Sequence, residues 1–282
     1  MNNKEKWVQC SLREAQMIML DILEEVNRIC DENNIEYFLA EGTLLGAIRH
    51  KGFIPWDDDL DIGMTRENYN KFLKVAPKSI KEGFFVQTVD SDKEYKLYHI
   101  PLKVRKKGTL LEEFGEENEK YHRGIYIDIF PFDKIPQSRF QYFIQKKFLG
   151  SLVKGKFKNL GDNSSLKWKL RNFIYYILKP LSYGSLDDMI HKTLKWNEDS
   201  KATCYNYGPE LLWDKEFKEQ DLFPLRKIIF EDKEFWAPNN ADAVLTKVYG
   251  DYMTLPPKED RLWHAKGIYK DVAKMEDEKN EF

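Results

Sequence analysis

The sequence predicts an α+β protein: a mixed β-sheet core flanked by helices, with a helical elaboration added to it. Three observations predict it. Short apolar or alternating stretches at residues 37–40, 59–64, 84–89 and 124–130 are mixed with helical patterns rather than segregated from them. Apolar residues make up 42 % of the 282, enough for a sizeable core in one catalytic domain. After Pro136 the texture changes to basic, aromatic helices.

Each element has its own signal. Ser11 with Glu14 three residues later is a capping box. Leu20, Ile22, Leu23, Val26 and Ile29 then give an apolar helical face reaching about Asn33. Residues 37–40 (YFLA) read as a short buried strand, broken by Gly42, and Thr43 caps a helix over 44–50. Residues 51–56 are a loop punctuated by Gly52 and Pro55. Residues 59–64 read as a strand, and Thr65 caps a helix reaching about Val75. Strands follow at 84–89, 98–105 and 124–130, then helices at 138–158, 165–180 and 185–199, with a linker-like turn at 161–165. Residues 227–236 read as a hairpin with Glu231-Asp232 at its turn, and 241–248 as a helix; the charged tail after Lys274 frays. The expected organisation is a catalytic core over 1–136, a basic helical subdomain over 137–200 and a C-terminal part over 201–282 that packs back on the core.

Charge and cysteine usage exclude several classes. The formal charge of −2 gives no global field for nucleic acid. The distribution is uneven, because residues 137–180 hold ten basic residues and one acid, Asp162. That segment, mixed with Phe, Tyr, Leu and Trp, is expected to meet an anionic membrane surface, or else to be a solvated helical subdomain. Cys10, Cys30 and Cys204 are odd in number and scattered, which points to a reducing compartment rather than a disulfide framework or zinc cage. The first residues show no signal peptide, and the apolar run 173–178 is too short to cross a bilayer. The expected location is cytoplasmic, peripheral at the inner face of the membrane.

The chemistry lies in residues 41–63, EGTLLGAIRHKGFIPWDDDLDIG. A glycine where a strand opens into a helix lets backbone approach a ligand, and the N–H groups of the helix start suit phosphate. Gly42 and Thr43 are the expected phosphate contacts. Asp59 and Asp61 alternate onto one face of the following strand, and two such carboxylates repel unless a cation joins them. Oxygen-only ligation favours Mg²⁺ or Mn²⁺. Asp128 in GIYIDIFPFD is the third carboxylate, on the face opposite Ile125, Ile127 and Ile129. A phosphate cradle beside three strand carboxylates outlines a phosphoryl-transfer site. Arg49 and Lys51 are candidates to offset donor charge. Asp57 either supports the metal pair or sits in a solvated turn, and His264 is a candidate lining residue.

At these residues the chain resembles the LicD family, grouped with fukutin and the fukutin-related protein in the nucleotidyltransferase fold superfamily. The matching residues are YFLAEGTLLGAIR (37–49), GFIPWDDDLD (52–61), IDIFP (127–131) with Asp133, and a late match in YGDYM (249–253), LPP (255–257) and His264. The resemblance implies transfer of phosphocholine from CDP-choline to sugars of teichoic acid, lipopolysaccharide or capsule, with CMP released. Eukaryotic relatives imply CDP-ribitol as a donor, and CDP-glycerol is a further alternative. By motif position Asp59 and Asp61 are the metal pair. Asp128 either completes the metal site or accepts the acceptor hydroxyl's proton. The acceptor glycan is expected on a lipid carrier. Rival readings are an Asp-x-Asp glycosyltransferase and a non-catalytic glycan-precursor scaffold; no Gly-x-Ser-x-Gly, His-Glu-x-x-His or Walker loop supports hydrolytic or P-loop chemistry.

Overall fold

A computed structural model of the chain describes residues 7–95, 102–115, 119–150, 152, 169, 173, 176–177, 180, 182–211, 213–261, 263 and 265–271. His264, the tail after Lys274 and most of residues 153–179, with the expected helix over 165–180, lie outside the described residues. The described residues form two compact units, one from within 7–95, 102–130 and 220–271, the other from within 131–219. The class is α+β.

In the first unit, strand β1 (Trp7–Gln9) leads into helix α1 (Leu12–Asn33). The capping box is present: Glu14 N–H donates to Ser11 Oγ at 3.2 Å, and Ser11 N–H donates to Glu14 Oε2 at 2.8 Å. Asn34, at φ 50°, ends the helix in the left-handed region that Asn tolerates. Met19, Ile22, Leu23, Val26 and Ile29 form its buried stripe. Strand β2 (Phe38–Leu39), helix α2 (Glu41–Arg49), strand β3 (Asp61–Thr65) and helix α3 (Arg66–Ser79) follow. Thr65 caps α3 as expected, its hydroxyl accepting from Asn68 N–H. Strands β4 (Phe84–Gln87), β5 (Lys103–Lys106), β6 (Thr109–Glu113) and β7 (Tyr126–Lys134) come next, the last crossing into the second unit at Pro131.

The main sheet runs β2-β3-β7-β5-β4, so β3 and β7, which carry the candidate aspartates, are neighbours at its centre. Ile125, Ile127 and Ile129 are fully buried, and Tyr126 and Asp128 on the opposite face are buried as well. Chain from 220 on adds a hairpin of β10 (Arg226–Phe230) and β11 (Lys233–Ala237), numbered after β8 and β9 of the second unit. Its two-residue turn is Glu231-Asp232, as expected. Helix α8 (Ala241–Tyr249) follows, numbered after α4–α7 below. Strand β12 (Ala265–Asp271), which the sequence reading did not anticipate, pairs antiparallel with β1 and β6 in a separate three-stranded sheet.

In the second unit, α4 (Arg139–Tyr142) continues into a π-helical stretch, Phe143–Leu149, and α5 (Tyr183–Thr193) into α6 (Lys195–Glu198). Leu149, Leu186 and Ile190 form its small helical core. Gln145 joins the helices by donating to Thr193 Oγ1 at 2.9 Å and Asn197 Oδ1 at 2.6 Å. The end of β7 pairs antiparallel with β8 (Cys204–Tyr207), and β8 with β9 (Phe217–Lys218); α7 (Glu219–Leu222) begins at this unit's last residue.

Candidate active site

The site is built where β2 turns into α2. Glu41 takes φ 41°, a left-handed conformation costly for a residue with a side chain, in order to enter the helix. The helix therefore begins at Glu41 rather than at Leu44, and Thr43 is not its cap. Thr43 has another use: Asp61 N–H donates to its Oγ1 at 2.8 Å, which fixes the start of β3 against the first turn of α2. Strand geometry begins at Asp61, not Asp59, because residues 57–60 form an irregular lead-in.

The glycines enforce close approach. A Cβ on Gly42 would lie 2.8 Å from Asp57 Oδ2, so the Asp57 carboxylate sits against the start of α2. A Cβ on Gly46 would lie 2.4 Å from the Gly52 carbonyl oxygen, so that glycine lets the 51–56 loop fold back along α2. Two residues outside the motif hold this loop. Gln16 on α1 donates to the carbonyls of Ile54 at 3.1 Å and Asp57 at 3.0 Å. Glu231 at the hairpin turn accepts from Phe53 N–H at 3.0 Å and from both terminal nitrogens of Arg13. Asp58, inside the motif, is buried and accepts Ala265 N–H at 2.5 Å, tying the loop to β12.

Carboxylates converge on Asp61. Its carboxyl is raised well above the ordinary range, first by burial, then by Asp59, Asp128, Glu41 and Asp57. Tyr249, 42 % exposed as a whole, brings its hydroxyl to 3.4 Å from Glu41 Oε2; burial and then Glu41, Asp61, Asp57 and Asp59 push that hydroxyl upward. Asp128 faces Lys103 in the register of β5 and β7. The Lys103 ammonium lies 2.7 Å from Asp128 Oδ1 and 3.4 Å from the centre of the Tyr126 ring. The two side chains are only 3 % and 8 % exposed. Next along β5, buried Arg105 donates to Gln87 Oε1 and to the Gly124 carbonyl, backing the same strand.

The expected substrate contacts are thus distributed unevenly. Gly42, Thr43, Asp57, Asp59, Asp61 and Asp128 belong to one cluster. Arg49 donates to the Tyr252 carbonyl at 2.7 Å and to His50 Nε2 at 3.0 Å, so it also braces the segment after α8. Lys51 is exposed, at φ 63°, and its carbonyl accepts Glu231 N–H. His264 lies outside the described residues.

The chemistry of the donor set decides whether a metal fits. All its members are carboxylate oxygens, and the repulsion that raises Asp61 is what a divalent cation removes. Among the described residues no group of three or more His, Cys, Asp or Glu side chains stands ready to hold a metal ion. Asp128 is instead clamped by Lys103. The described residues therefore show no preformed three-carboxylate cage, and the crowding of Asp61 by Asp59 is the feature a divalent cation would relieve.

Residues 34–160 match the family described as LicD/FKTN/FKRP, nucleotidyltransferase domain. The chain is 28 % identical over 263 residues to the lipopolysaccharide cholinephosphotransferase LicD of Haemophilus influenzae, covering 90 % of this chain and 96 % of that one. The chain is thus similar to the LicD family over residues 34–160, and to that cholinephosphotransferase over nearly its whole length. Human ribitol 5-phosphate transferase FKRP is 38 % identical over 58 residues, 21 % of this chain and 10 % of that protein. A Rickettsia prowazekii protein of unassigned activity is 33 % identical over 138 residues, covering 48 % of this chain and 47 % of its own.

Several supporting residues of the site give little or no local signal in the sequence. Lys103 and Arg105 alternate on a strand whose existence was read, and that alternation was the available signal. Gln16 and Asp58 carried none, since what identifies them is a partner distant in sequence. No described helix is long and apolar enough to cross a membrane.

Proposed function

We propose that this protein is a LicD-family, metal-dependent transferase that moves phosphocholine from CDP-choline to a sugar hydroxyl of a cell-surface glycan, releasing CMP. The observation that carries the reading is the convergence of Asp57, Asp59 and Asp128 on buried Asp61 at the start of α2, in a chain similar over nearly its whole length to a cholinephosphotransferase. Asp59 and Asp61 would hold Mg²⁺ or Mn²⁺, which when bound supplies charge neutralisation for the diphosphate. Asp128, oriented by Lys103, accepts the acceptor hydroxyl's proton. The acceptor oxygen bonds to the phosphorus bearing choline as the bond to the CMP oxygen breaks. A second reading, transfer of ribitol phosphate, is supported by the local similarity to FKRP.

The test is nucleotide release in Mg²⁺ buffer from CDP-choline, CDP-ribitol, CDP-glycerol and UDP-glucose, with a lipid-linked glycan acceptor. CMP from CDP-choline, lost in Asp59→Ala and Asp61→Ala, is expected. CMP from another CDP donor replaces the transferred group. UDP release alone overturns phosphotransfer.

Peripheral contact with an anionic membrane through 138–180 belongs to the same proposal. It is supported by the ten-to-one excess of basic residues over 137–180 and by the exposure of Phe140 and Phe143 on the described part. Co-sedimentation with phosphatidylglycerol vesicles that persists in Phe140→Ser/Phe143→Ser removes those two side chains from the contact.

A further inference from the structure

Beside the carboxylate cluster lies a second, cationic and aromatic cluster, in which only Arg49 is a candidate from sequence to offset donor charge. The Arg261 guanidinium lies over the Trp56 ring, 4.2 Å from its centre. His50 meets the same ring edge-on at 6.0 Å, and Arg49 donates to His50 Nε2. All four side chains are half-buried. Each guanidinium is oriented by a backbone carbonyl, Arg49 by Tyr252 and Arg261 by Pro256, the latter at 3.1 Å. The contacts of Arg49 are thus with a carbonyl and an imidazole, and those of Arg261 with a carbonyl and an indole ring.

Two cations set close together, each half out of water and anchored on neutral groups, repel one another. The proton affinity of Arg49 reports the strain: burial lowers it most, then Arg261, while Asp57 and Tyr249 act the other way. Such an arrangement gains most from a shared anion, and the planar guanidinium fork suits phosphate. The cluster is also placed for one. Trp56 is joined directly to Asp57, whose carboxylate sits at the start of α2. A diphosphate between the two clusters would meet guanidinium on one side and the cation of the Asp59–Asp61 pair on the other.

We infer that Arg49 and Arg261, presented on Trp56, form a clamp for the diphosphate of the nucleotide donor. The inference rests on the transferase reading above and extends it, because the phosphate-binding element becomes this guanidinium pair, with Gly42 and Thr43 spent on positioning Asp57 and Asp61.

Calorimetric titration with CDP, CMP and inorganic pyrophosphate in Mg²⁺ buffer tests it, alongside CMP release from the CDP donors. Wild type is expected to bind CDP more tightly than CMP. Arg261→Gln should weaken CDP and pyrophosphate by about tenfold or more, the scale of a charged hydrogen bond, and leave CMP much less affected. Arg261→Lys should recover part of the loss, and thermal melting should not change. If wild type turns over a CDP donor while Arg261→Gln binds CDP and pyrophosphate as wild type does, the clamp is overturned and the transferase reading stands. If wild type neither binds CDP nor releases CMP from any CDP donor, both fall.

Discussion

Replacing Lys103 by Met separates the electrostatics of the site from its packing. Met keeps the length and apolar stem of the side chain but removes the ammonium. Asp128 then remains in a place where it is 8 % exposed, without the partner 2.7 Å away. Breaking a buried pair on one side typically costs about 3–5 kcal/mol, because an uncompensated charge is left behind. The ammonium also sits 3.4 Å over Tyr126, and the loss of this desolvated cation–π contact, about 2 kcal/mol, is contained in that cost. Lys103→Met should therefore lose roughly 3–5 kcal/mol in urea unfolding, and Asp128→Asn a comparable amount, since it strands the lysine. The double variant Lys103→Met/Asp128→Asn removes both charges and should recover much of the loss, with a coupling of about 2 kcal/mol or more in the cycle. Single losses that add within about 0.5 kcal/mol, or a Lys103→Met cost under about 1 kcal/mol, would refute the claim that this pair fixes Asp128.

The remaining predictions follow from equally local geometry. Gly46→Ala places a Cβ 2.4 Å from a backbone oxygen and should cost about 1–3 kcal/mol, whereas Gly42→Ala meets only the movable end of Asp57; it should leave stability nearly intact while lowering activity, as melting and CMP release on the two variants would show. His122 Nδ1 accepts Gly124 N–H at 3.1 Å, and burial followed by Arg105 lowers its pKa from 6.5 to about 4. A histidine lowered on folding leaves the unfolded chain holding more protons between those values. Stability is therefore full above pH 6.5 and falls as pH drops through about 4, and His122→Gln should flatten that part of a urea-midpoint profile. Asp58→Ala removes the acceptor of Ala265 N–H in a buried place and should cost about 1–3 kcal/mol; hydrogen exchange at Ala265 would rise with it.

What was legible in the sequence is what local chemistry dictates. The capping box at Ser11, the Thr65 cap and the two-residue turn at Glu231-Asp232 are each set by residues within four positions of one another, and each is present as read. The fold class came from the same local signals summed. Thr43 shows where such reading stops. A threonine after a glycine at a strand end has the form of a helix cap, yet Glu41 enters a positive φ, the helix starts early, and the hydroxyl is taken by Asp61, eighteen residues on. Strand β12 carried no local alternation strong enough to be read, because it becomes a strand through β1 and β6, both remote in sequence.

The same division runs through the site. The aspartates were visible because Asp59-Leu60-Asp61 stands in one short segment with the Gly42-Thr43 strand end, whereas an isolated Asp-x-Asp is a weak signal. The groups that orient them were not: Lys103, Gln16, Asp58 and Arg261 are ordinary residues in their own neighbourhoods. A lysine on a strand is usually solvated, and only the register that sets Lys103 opposite Asp128 turns it into a buried partner. In the cationic cluster, Arg49 was chosen for standing next to the motif, whereas Arg261 was passed over, 205 residues beyond the Trp56 on which it stacks. Sequence proximity found the residues proposed to react, and long-range contacts found those that decide how they are held. The variants that discriminate best are therefore at Lys103 and Arg261, because altering an aspartate removes the chemistry under every reading of the site.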